Sequence, residues 1–164
     1  MSPYRLACAC LFAFASLGAH GAGQAASKAD PSIAPLLEEL GYEYELDEDG
    51  DYKMVMALDG GRTQMVFIRS GVETYGRHRV REIWSPAHRV DAGAFPGPVA
   101  NRLLEASHAL KLGAWMNNAG FAVLVVKVDA GIDAEALDQA IGAAVTSADE
   151  MERELAGDPD SDEF

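Results

Sequence analysis

Cysteine is almost missing from this chain. Two occur in 164 residues, Cys8 and Cys10, and both fall inside one N-terminal apolar run. Beyond that run there is no thiol for a disulfide, a zinc site or a nucleophile. Positive charge is scarce as well: 13 Lys and Arg stand against 26 Asp and Glu, a net charge of −13. Nucleic acid and anionic membrane surfaces are excluded as partners, because their charges repel such a chain. The surplus of acid serves solubility first and a basic partner second. No apolar run reaches the roughly 20 residues that a membrane-spanning helix needs. The longest, Leu6–Ala19, follows Arg5 and precedes the small residues "HGAGQAASKAD". A basic start, a greasy core and a small-residue zone predict a secretory signal peptide over residues 1–25. Gly23-Gln24-Ala25 places the cut after Ala25, with a second option after Gly21. The cysteines lie too early in the core for lipid attachment. The expected mature protein is periplasmic or secreted and keeps no stable membrane anchor.

Catalytic patterns are missing too. Outside the leader the histidines are His78, His88 and His108, none at a metal-ligand spacing. Ser85, Ser107 and Ser147 lack the context of an activated nucleophile. Neither a cofactor nor an enzymatic activity is expected. "DEDGDY" (47–52) looks most like a chemical site, with aspartates at alternate positions. An EF-hand loop requires glycine at its sixth position and glutamate at its twelfth. Counted from Asp47 these are Tyr52 and Leu58, and the flanks read as strands. Asp49-Gly50 between alternating apolar runs predicts a hairpin tip instead.

What is present is one domain, residues 32–156, between a short linker (26–31) and a solvated, disordered acidic tail (157–164). Asp30-Pro31 predicts a helix start, Ile33, Leu36, Leu37 and Leu40 its stripe, and Gly41 its end. Period-two alternation then predicts strands over 42–46, 52–58 and 62–69. A fourth strand is expected near 78–86, ended by Pro86. Pro98 opens a second helix to about Leu110, burying Leu103, Leu104 and Leu110. Strands flank a turn at 117–120, and Phe121–Val128 reads as a central strand covered on both faces. Asp133 caps a last helix carrying Leu137, Ile141, Ala144, Val145, Ala148, Met151 and Leu155. The predicted class is α+β, an antiparallel sheet with helices packed against it, in the order α-β-β-β-β-α-β-β-α.

One stretch departs from the acidic surface. Arg77, Arg79 and Arg81 alternate, so a strand would set them along one face, as a partner- or anion-binding stripe or as an exposed edge guarded by charge. Trp84 and Trp115 read as core.

Three segments, "LEELGYEYELDEDGDYKMVM", "LLEASHALKLGAWMNNAGFAVLVVKV" and "GIDAEALDQAIGAAVTSADEMEREL", resemble the YbjN family of bacterial proteins over about residues 32–156. The resemblance implies a fold like that of type III secretion chaperones, a possible homodimer, and a role labelled sensory transduction regulation. It brings no catalytic residues. Those chaperones work in the cytoplasm, whereas this chain carries an export signal. The expected function is that of an exported module that binds another protein, chaperone-like or regulatory. The alternative is a periplasmic sensor with a small-ligand pocket between sheet and helices, near the arginine stripe.

Overall fold

The computed structural model describes residues 28–158 and 161–164. The expected signal peptide lies outside the described residues. Among them are three α-helices, α1 (Ala34–Leu40), α2 (Gly97–Ala109) and α3 (Ala134–Leu155), and a short 3-10 turn at Asp59–Gly61. The six strands are β1 (Glu45–Leu46), β2 (Tyr52–Ala57), β3 (Thr63–Tyr75), β4 (His78–Arg89), β5 (Ala114–Asn118) and β6 (Phe121–Asp129). They form one sheet in the order β1-β2-β3-β4-β6-β5, with every neighbouring pair antiparallel. This is the α+β class and element order that the sequence predicts.

All three helices lie on one face. Alternate residues of the central strands turn to that side: Tyr52 and Met54, Val66 and Ile68, Ile83, and Val126. They meet Ile33 at the N-cap of α1, Leu37 within it, and the Leu137, Ala140, Ile141, Ala144 and Val145 stripe of α3. A second cluster joins Ala87 and Ala122 to Leu103 of α2 and to Ala148 and Met151. Each large side chain fully withdrawn from water contributes about 1.5–3 kcal/mol. Asp133 caps α3 as expected, its carboxylate accepting from Ala136 N at 2.9 Å.

Several boundaries move. Asp30 caps no helix: α1 begins three residues beyond Pro31, with Ile33 at its N-cap position, and Asp30 turns to Arg81 instead. β3 continues six residues past Arg69, because a register shift between Ile68 and Val72 lets the ladder resume. Pro86 does not end β4. It pairs with Val123 just before a second register shift, where the missing proline N–H costs little. Leu104 is exposed rather than buried, since Leu103 takes the inward position. The 47–52 segment is a hairpin tip. Asp47 accepts from the amides of Asp49 and Asp51 at 2.9 Å each, and Gly50 supplies the φ of +84° that the turn requires.

Candidate functional site

The three arginines predicted as a stripe do not share an exposed face. Arg77 lies in the turn between β3 and β4, and Arg79 is exposed on β4. Arg81 is buried at 4% exposure. Its guanidinium donates to Asp30 Oδ2 at 2.6 Å and to the Arg69 carbonyl at 2.9 Å, within the segment where β3 leaves its register. The adjoining Ser70 accepts from Asp30 N through its hydroxyl, which donates to Gly50 O; its amide donates to Asp51 Oδ1 at 2.7 Å. Arg81, Asp30, Ser70 and Asp51 thus tie the start of the domain, the aspartate hairpin and the β3 bulge into one polar knot. The hydrogen bond from Arg81 holds the Asp30 carboxyl at about 2, below its ordinary 3.8. Burial pushes Asp51 up, although the Ser70 amide and Arg69 oppose it.

The other face of the sheet carries no described helix. Its residues come from the alternate positions of the same strands. Lys53 pairs with Phe67, Phe67 with Trp84, Trp84 with Val125, and Val125 with Ala114. One row of side chains therefore crosses five strands. Val55, exposed at 59%, pairs with Met65 in the next row, and Pro86 and Met116 both pair with Val123. Polar groups edge this surface. Arg69 stacks over the Trp84 ring at 4.5 Å and reaches Asp51 at 2.7 Å. Trp84 Nε1 donates to Glu82 at 2.8 Å, and Lys127 pairs with the same carboxylate at 2.9 Å.

Toward the loop end the face deepens into a cavity of about 450 Å³ whose floor holds Met65, Phe67, Trp84, Pro86, Phe121 and Val123. Arg69, Arg89, Asp47 and Asn118 stand at its margin, and Glu163 and Phe164 close one side. The Phe164 ring meets Phe121 edge-on, with centroids 6.4 Å apart. The acidic tail, expected to be solvated, is thus engaged where it is described. Arg62 donates to Ser161 O at 2.5 Å, and Asp162 accepts from the Thr63 amide and hydroxyl. Buried Glu152 accepts from Glu163 N at 2.5 Å. Arg62 also binds Asp149 at 2.5 Å and Glu152 at 3.3 Å. Burial pushes the Glu152 carboxyl up, against the pull of these donors.

Trp84, expected in the core, is half-buried on this open face, and that expectation hides the surface in the sequence. The signal was available in "MVFIR", where Met65, Phe67 and Arg69 alternate with buried Val66 and Ile68. Among the described residues no cluster of three or more His, Asp or Glu is placed to hold a metal ion.

A family model, YbjN, described as "Putative bacterial sensory transduction regulator", matches residues 31–156. That description is of a regulator and names no reaction. No curated protein matches the chain.

Proposed function

The chain belongs to the YbjN family, and from that premise we propose that it is an exported, non-catalytic module that holds another protein on the open face of its sheet. The observation that carries this reading is the row Lys53–Phe67–Trp84–Val125–Ala114, widened by Met65, Pro86 and Phe121. Apolar side chains gathered on a face without a helix over them mark a contact surface. Aromatic, methionine and arginine side chains are the types enriched where proteins bind one another, and tryptophan and arginine dominate their binding energy. The leader delivers the module to the periplasm or beyond, and the acid surplus keeps it soluble there. A second copy of the chain is one candidate occupant of the face; a chaperone-like client or a regulatory target is another.

The test places a photo-crosslinking residue at Val55, beside the row, in the full chain expressed in its own host. A discrete crosslinked product is expected, and its mass separates a second copy from a different protein. Trp84→Glu should abolish it, and Leu104→Asp, on the exposed side of α2, should leave it intact. Equal yields from both variants would remove the open face from the function.

The sensor reading keeps one supporting observation, the cavity of about 450 Å³. That size suits a small ligand, and Arg69 and Arg89 would meet an anionic group. The cavity lies on the open face rather than between sheet and helices. A small ligand there would raise the thermal midpoint of the folded chain in proportion to the logarithm of its concentration.

A further inference from the structure

Beyond Ile68 strand β2 no longer accompanies β3, and β6 ends at Asp129, the partner of Val80 on β4. Residues 73–79, the far ends of β3 and β4 with their turn, therefore project from the sheet as a two-stranded ribbon, exposed at every position. We infer that this ribbon is a contact element in its own right, on which Arg77 and Arg79 receive an acidic segment of a partner protein. The inference goes beyond the open-face reading and does not depend on it.

Three observations converge. The first is unmet charge. Arg62, Arg69, Arg81, Arg89, Arg102 and Arg153 each form an ion pair with a carboxylate. Arg77 and Arg79 form none among the described residues, in a chain where 26 Asp and Glu stand against 13 Lys and Arg. The acids around them face away or are engaged. Glu73 and Asp129 are the cross-strand partners of Val80, so the pleat sets them on the face opposite Arg79. Glu82 shares that opposite face and pairs with Lys127. Asp30 pairs with Arg81, and Asp133 caps α3 through the Ala136 amide.

The second observation is shape. A two-stranded hairpin alone is barely stable in water, so the ribbon takes its order from the sheet behind it. There the Ala130 amide donates to the Arg79 carbonyl at 2.8 Å, and Arg81 holds the bulge in β3. The ribbon's side chains are thus held out on an anchored support without serving the core. The third is composition. Tyr75, 83% exposed, pairs across the ribbon with His78. Tyrosine and arginine are among the side chains that dominate binding energy where proteins meet. The class of occupant follows from charge. A net charge of −13 repels a polyanion that spreads over the surface. A short run of carboxylates on a protein can meet the two guanidiniums at the ribbon and stay clear of the rest.

The test titrates the full chain with a pentaglutamate peptide blocked at both ends and follows backbone amides by nuclear magnetic resonance. Shifts are expected to centre on Thr74 through Arg79. The double variant Arg77→Glu, Arg79→Glu should bind the peptide about tenfold more weakly or worse. Tyr75→Ser should weaken it by about threefold. Arg102→Glu, which removes an arginine already held by Glu154, should stay within about twofold of the unaltered chain. Shifts spread evenly over the chain, or an equal loss in Arg102→Glu, would overturn the inference. Equal binding of inorganic tripolyphosphate would make the ribbon a site for anions at large and overturn the protein partner. Shifts at the ribbon that grow with protein concentration alone, and vanish in the double variant, would assign it to a second copy and overturn the inference too. Crosslinking at Val55 does not involve the ribbon, so any of these failures leaves the open-face reading standing.

Discussion

Arg77 and Arg81 stand four positions apart in one basic run, and burial gives them different work. Arg77 is exposed in a turn, whereas Arg81 is withdrawn among Asp30 and the carbonyls of the β3 bulge. Arg81→Ser should therefore destabilise the fold by about 3 kcal/mol, because it leaves carbonyls and a carboxylate without their donor. Arg77→Ser and Arg79→Ser should change stability by less than about 0.5 kcal/mol. Urea denaturation of the three variants checks the ranking, and equal effects would contradict it. The same pair has a pH signature. Asp30 ionises at about 2 in the fold against an ordinary 3.8. A depressed carboxyl stabilises the fold above its unfolded value, and the contribution disappears as pH falls from near 4 through 2. Asp30→Asn should lower stability at neutral pH and flatten the acid limb over that window, measured as thermal midpoint against pH. Nothing in the spacing of Arg77, Arg79 and Arg81 distinguishes them. The difference arises from the bulge between Ile68 and Val72, and a bulge leaves no mark in an alternating pattern.

Elements whose signal is local were legible. The stripe of α3, its Asp133 cap, and the hairpins at Gly50 and Gly120 follow from neighbours in sequence. Elements whose extent depends on a partner strand were not. β3 outruns its apolar alternation into "VETY" because β4 supplies its hydrogen bonds, pairing Tyr75 with His78, and β4, which starts at His78 as expected, runs on past Pro86 to Arg89 because β6 pairs with it there. The β5–β6 hairpin shows how tightly a local turn can be bound to its surroundings. Gly120 has a φ of +96°, and a Cβ there would lie 2.4 Å from the Val90 carbonyl oxygen. Gly41, at +74°, has open space around it. Gly120→Ala should cost more than about 2 kcal/mol, from the left-handed conformation plus a backbone clash, and Gly41→Ala only about 1 kcal/mol. Thermal unfolding of the two variants compares them directly, and a similar loss in both would show that the Val90 loop yields.

For the whole molecule the decisive feature is that three helices cover one face of the sheet and none of the described helices covers the other. The alternation in "MVFIR" separates the two faces, but "FAVLVV" is apolar at every position and reads as a strand covered on both sides, so the sequence does not show which face the helices leave open. Val123 and Val125 are indeed buried, at 4% and 6% exposure, yet they lie on the face without a helix, among Phe121, Trp84 and Met116. The tail completes this arrangement, and one arginine governs it. Arg62 is surrounded by Asp149, Glu152 and Asp162, and also holds Ser161. Removing it leaves Glu152, at 1% exposure, without its cationic partner. Arg62→Ser should accordingly cost about 3–5 kcal/mol and speed exchange of the Glu163 and Phe164 amides. If the penalty is that of an uncompensated buried charge, adding Glu152→Gln should return at least about 1 kcal/mol, since the amide oxygen still accepts from the Glu163 and Phe164 N–H groups, which both bond Glu152 Oε1, without a charge to desolvate. Were the double variant less stable than Arg62→Ser, the Glu152 carboxylate would be held by its backbone donors alone, and the tail would be fixed independently of Arg62.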